Sequence, residues 1–192
     1  MSDKVEAEAD RWGPEIARPD FIIAAAGFKF QSTVKLLSIR IGAEAQPGEV
    51  PGSFTIDSSK EVNIVDLQRE FLPKGCFLFS LKYDSNRNIG VLPTTNKYDA
   101  IAAMQTNGQN YDIGPGYIND WLKKLDAEQP FFLTGAGMDF LSGQFQSPVN
   151  NAVELAARFY EFCPDIVDQG CGSVEVLADE LKKTQKLFFW WD

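Results

Sequence analysis

The sequence predicts an α+β protein, with an antiparallel or mixed sheet and packed helices in two closely associated halves. Three observations predict it. Short apolar runs alternate as strands do, as in residues 34–41 (VKLLSIRI). Other segments repeat at helical spacing, as at Ile118, Trp121, Leu122 and Leu125. Clusters of glycine, proline and asparagine separate the two kinds of segment. Hydrophobic residues at 44% and charged residues at 23% are ordinary globular proportions. A chain of this size buries about 70% of its unfolded surface.

Residues 1–20 carry six acids, three bases and two prolines with little periodicity, and read as a solvated, flexible leader with Trp12 available for docking. Residues 21–91 form an N-terminal α+β lobe. In it, 34–41 is a strand and 46–52 (QPGEVPG) a loop. Residues 58–71 have helical spacing at Val62, Val65, Leu67 and Phe71, with Ser58 or Ser59 as N-cap and Pro73 and Gly75 as the stop. Two strands, 76–83 and 89–92, flank the turn 84–88 (DSNRN).

Residues 92–192 form a C-terminal α+β domain. It opens with a short helix at 97–104, then a turn-rich segment, 106–116. Pro115 suits the first turn of the helix carrying Ile118 to Leu125, and Pro130 ends it. Residues 131–133 and 140–145 flank 134–137 (TGAG) as a hairpin, with Gly143 available for a bulge. A helix spans 150–162, Ser173 caps a last one, and the closing LFFWWD reads as a strand buried on both faces.

Composition narrows the function. A net charge of −9 and an acidic isoelectric point argue against nucleic acid as a direct ligand, because phosphate binding relies on clustered Lys and Arg. An acidic surface instead speeds encounter with a basic protein. Three cysteines leave an odd thiol under any single pairing, so a reducing, cytoplasmic setting is expected. The longest early apolar run, 21–27, is far short of the ~20 residues of a spanning helix, and no membrane partner is expected.

No catalytic residue, cofactor or metal is expected. In 162–172 (FCPDIVDQGCG), Pro164 forces Cys163 out of the helical region and Gly170 and Gly172 turn the chain toward the Ser173 cap. Cys163 then reads as a small buried hydrophobe and the aspartates as local backbone acceptors. Zinc needs four Cys or His ligands, and the chain has no histidine. Cys171 precedes a helix N-terminus, where a thiolate is favoured, yet the usual histidine base is missing. The glycines of TGAG and GPG fit no phosphate-binding spacing, and the pairs Asp165 with Asp168 and Asp112 with Asp120 read as surface carboxylates.

One feature remains. Residues 161–180 hold six acids (Glu161, Asp165, Asp168, Glu175, Asp179, Glu180) and no base, beside an aromatic-rich terminus. That is the composition of a docking surface for a basic protein, with Asp165, Asp168, Glu175 and Asp179 as contacts and Tyr111 and Tyr117 as aromatic anchors.

The segments VLPTTNKYDAI, TNGQNYDIGPGYINDWL, FCPDIVDQGCGSVEVLADELKKTQ and LFFWWD resemble an uncharacterised bacterial domain family, one of the catalogued domains of unknown function, over roughly 92–192. Its members typically finish with a CPD-x-VDQG turn, a helix and LWWD. Phe189 stands where the family more often has leucine. The resemblance implies a small cytoplasmic bacterial protein, in some cases from toxin-immunity neighbourhoods, and supplies no catalytic residues. Its motif positions here are Cys163, Pro164, Asp165, Asp168, Gly170, Trp190, Trp191 and Asp192.

The expectation is therefore a non-enzymatic binding protein of immunity type that neutralises a basic toxin or nuclease by direct complex formation. The alternatives are a hydrolase or transferase with an Asp/Cys site in the inter-lobe cleft, and a regulatory module without a catalytic site.

Overall fold

The computed structural model describes the backbone of residues 35–40 and 47–192, and side chains from residue 53 onward. The leader with Trp12 and the run 21–27 lie outside the described residues. The fold is α+β, in two compact units, Met1–Gln105 and Thr106–Asp192.

In the first unit, β1 (Lys35–Arg40), β2 (Pro47–Asp57), β3 (Phe77–Ser80) and β4 (Asn88–Leu92) form antiparallel pairs in the order β1-β2-β4-β3. The segment expected as a loop at 46–52 is instead the start of β2. Pro47 is the first strand residue, and Pro51 lies where the β1–β2 register shifts between the Leu36–Phe54 and Ser38–Glu49 pairs. Strand starts and bulges are the places where a missing N–H sacrifices no ladder bond.

Helix α1 (Ile64–Phe71) begins later than expected. Its N-cap is Asn63, whose Oδ1 accepts the N–H groups of Val65 at 3.0 Å and Asp66 at 3.3 Å. Ser58 does not cap: its N–H donates to Arg87 O at 2.7 Å and continues the β-ladder, and its Oγ bonds the N–H and C=O of Lys60, short of the helix start. Ile64, Leu67 and Phe71 face the sheet, and buried Gln68 donates to Leu78 O at 2.8 Å. The register places Phe54, Ile56, Leu78, Ile89 and Val91 on one face, where they are all buried against this helix. Each such side chain contributes about 1.5–3 kcal/mol on burial. Helix α2 (Asp99–Met104), expected in the C-terminal half, falls in the first unit.

The second unit runs α3 (Pro115–Glu128), β5 (Phe131–Ala136), β6 (Phe140–Phe145), α4 (Ala152–Phe162), a π-helical turn (Ile166–Cys171), α5 (Val174–Thr184) and β7 (Lys186–Trp190). Pro115 occupies the first turn of α3, and Ile118, Leu122 and Leu125 are fully buried. The β5–β6 hairpin turns at 137–139 rather than at TGAG. Thr134 is an extra residue in β5, between the Leu133–Gly143 and Gly135–Ser142 pairs, which lets the strand continue to Ala136. Gly143 sits opposite this bulge, and a Cβ there would lie 2.8 Å from Phe132 O.

Strands β5, β6 and β7 pair antiparallel, with β7 last in the order. Contrary to expectation, β7 is buried on one face only. Leu187 and Phe189 are buried, whereas Lys186 and Phe188 are exposed. Phe189 packs into aromatic rings, 4.7 Å from Phe159, 5.0 Å from Phe162 and 5.5 Å from Trp121 between centroids. The alternate side chains line an open groove, so an all-apolar run did not require two covered faces.

Candidate docking surface at the Asp165 turn

Helix α4 ends as Pro164 requires: Cys163 adopts φ −143°, ψ 84°, and its N–H closes onto Phe159 O at 2.8 Å. The chain then winds into the π-helical turn, whose first N–H groups, from Val167 and Asp168, both reach Pro164 O. Gly172 ends it at φ +85°, the left-handed region that favours glycine, and Ser173 Oγ accepts Val176 N–H to start α5. Sequence spacing located the break and the cap. The π winding itself was not anticipated.

The turn divides the expected contact residues. Asp165, expected on the docking surface, is only 3% exposed. Its Oδ1 accepts Tyr111 Oη–H at 2.5 Å and Gln169 Nε2–H at 3.0 Å, and its Oδ2 accepts the N–H of Asp192 at 2.9 Å. Burial by itself raises the carboxyl pKa, but the hydrogen bonds from Tyr111, Asp192 and Gln169 outweigh it and hold the pKa below the ordinary value. The same bond, ahead of burial and the nearby charge, pushes the Tyr111 hydroxyl up to about 12. Asn110 also donates to Asp192 O, so the 3₁₀ turn Gln109–Tyr111 and Asp165 together hold the segment after β7. The signal for this was legible: Asp165 sits inside an apolar run, FCPDIV, where an acid must be buried and satisfied.

The other acids are outside. Asp168 is exposed and accepts Tyr160 Oη–H at 3.1 Å. Glu175 lies in the first turn of α5, where its own N–H and the Ser173 hydroxyl lower its pKa. Asp179, Glu180 and Glu161 are exposed as well. None of these five forms an ion pair among the described residues. Tyr117, 58% exposed, stacks on Phe162 at 6.2 Å, whereas Tyr111 has its hydroxyl committed to Asp165.

Among the described residues, the cysteines and carboxylates singled out in the sequence are held apart by different partners. Cys163 is buried and donates to Trp190 O at 3.0 Å, and burial pushes its thiol up to about 12. Burial does the same to Cys76. Cys171 donates to Ser173 O at 3.4 Å, Asp168 bonds Tyr160, and Asp192 bonds Asp165 through its backbone, so Cys171, Asp168 and Asp192 each go to different partners. Among the described residues no group of three Cys, Asp or Glu side chains is placed to hold a metal ion, and no helix is long and apolar enough to cross a membrane.

Beside the turn, α5 and β7 enclose a groove of about 350 Å³. No curated protein and no solved structure matches the chain. The model of a domain of unknown function, DUF4253, matches residues 88–192, slightly more than the resemblance indicated and more than half of the sequence, so the protein belongs to this family.

Proposed function

We propose that this protein is a non-enzymatic binding protein of immunity type, which neutralises a basic bacterial toxin in the cytoplasm by direct complex formation. The observation that carries the reading is the set of exposed acids on the π-helical turn and α5. Asp168, Glu175, Asp179 and Glu180 are exposed there and form no ion pair among the described residues, so like charge accumulates from the turn into α5, whose bases, Lys182 and Lys183, fall in its last turn. Such a face raises the association rate of a basic protein and penalises acidic ones. Asp165 supports the face from beneath by holding the turn to Tyr111 and Asp192, and Tyr117 supplies an exposed aromatic anchor.

The test is calorimetric titration of the protein with the toxin encoded beside it, at low and high salt. The expected result is a one-to-one complex that weakens as salt rises and that suppresses the toxin's activity. The double variant E175K/D179K should fold normally and lose at least tenfold in affinity. An affinity indifferent to both salt and charge reversal would sink the proposal.

A further inference from the structure

The family match begins at Asn88, the first residue of β4, yet β4 is built into the first unit by residues that the match leaves out. Both of its edges are taken there. Ile89 and Val91 pair with Ile56 and Phe54 of β2 on one side and with Ser80 and Leu78 of β3 on the other. One face is covered by α1, whose Leu67 and Phe71 lie in the same buried cluster as Ile89 and Val91. The other face is fitted to Phe79, which is fully buried. Gly90 pairs with Phe79 across the β3–β4 ladder, and a Cβ on Gly90 would lie 2.7 Å from Phe79 Cζ. The ring fills the space that the missing side chain leaves, so a residue inside the match is shaped by one outside it. The start of the strand is held from outside as well. Asn88 Nδ2 donates to Asp57 Oδ1, and Asn88 O accepts Leu81 N–H at 2.9 Å.

We infer that the N-terminal lobe is part of the DUF4253 fold in this chain and not an appended module. Residues 54–80 supply the two neighbouring strands and the covering helix, and without them β4 has neither ladder nor cover. A chain cut at residue 88 would expose Ile89, Val91 and Leu92, none of them more than 2% exposed in the whole protein. It would also leave the backbone groups of a five-residue strand without ladder partners. Even a two-stranded hairpin is marginal in water, and β4 alone falls short of one. The folding unit that holds the first strand of the match therefore starts at or before Phe54. The role of the lobe is then structural, whichever partner the acidic face takes.

The test is native-state hydrogen exchange of the full chain, followed strand by strand in rising urea, for the parent protein and two variants. Phe71→Ala removes a covering side chain that lies outside the match, and Gly90→Ala places a methyl against Phe79 from inside it. The β4 amides are expected to exchange on the same urea curve as those of β2 and β3. Phe71→Ala should speed exchange in β4 at least tenfold, and Gly90→Ala should do the same in β2 and β3. If either variant fails to fold, the parent protein decides alone, because the curves of the three strands coincide or they do not. A single curve for every strand of the chain supports the inference equally, since the matched segment then does not fold by itself. A β4 curve that parts from those of β2 and β3, or β4 protection indifferent to Phe71→Ala, would overturn it.

Discussion

Replacing Asp165 with asparagine removes one oxygen from a carboxylate that serves three donors. If the amide oxygen faces Tyr111 and Gln169, the new NH₂ abuts the N–H of Asp192, and two donors meet inside the protein. Hydrogen bonds to a charged group are worth about 1.5–3 kcal/mol and neutral ones about 0.5–1.5 kcal/mol, so one bond is lost and two are weakened. Easier burial of a neutral side chain offsets part of this. The expected net loss is about 2–3 kcal/mol, read from the urea midpoint at unchanged slope. Tyr111→Phe removes one bond at a half-exposed site and should cost under about 1 kcal/mol. In D165N the Tyr111 hydroxyl should titrate below the value of about 12 it has in the parent protein. The sign with pH follows from the lowered folded pKa of Asp165: its contribution is present above the unfolded carboxyl value, near 3.9, and is lost as pH falls through the folded value. D165N should therefore flatten the acid limb of the stability curve. A midpoint shift equivalent to less than about 0.5 kcal/mol would refute the argument that this carboxylate holds the turn.

Native protein should react with N-ethylmaleimide at Cys171 only, because Cys76 and Cys163 are wholly buried with thiols near 12; mass spectrometry before and after unfolding distinguishes one adduct from three. Phe189→Ala opens a cavity among Trp121, Phe159 and Phe162 and should cost about 3–5 kcal/mol in chemical denaturation. Gly143→Ala drives a methyl against Phe132 O at 2.8 Å, a backbone atom that cannot rotate away, and should cost about 1–3 kcal/mol.

What the sequence by itself determined is local. Pro164 had to end α4, Pro115 suited the first turn of α3, and Ser173 offered a hydroxyl for the start of α5, because each acts on dihedrals or donors within a few residues. The apolar faces of the helices followed from spacing in the same way. The tertiary structure decided the rest. It turned a Pro-Gly stretch into β2 by giving Pro51 a bulge to occupy, and moved a helix cap from Ser58 to Asn63 by tying Ser58 into the ladder with Arg87. It left Phe188 on the exposed face of β7 although four of the strand's five residues are apolar, because the aromatic rings of α3 and α4 pack on the Phe189 side. Asp165 and Asp168 are the same residue type three positions apart, and only the apolar neighbours of Asp165 distinguish them in the chain. One is buried and held by Tyr111, 54 residues away, and the other is exposed, because burial depends on which distant segment closes over a residue and not on the residue's type.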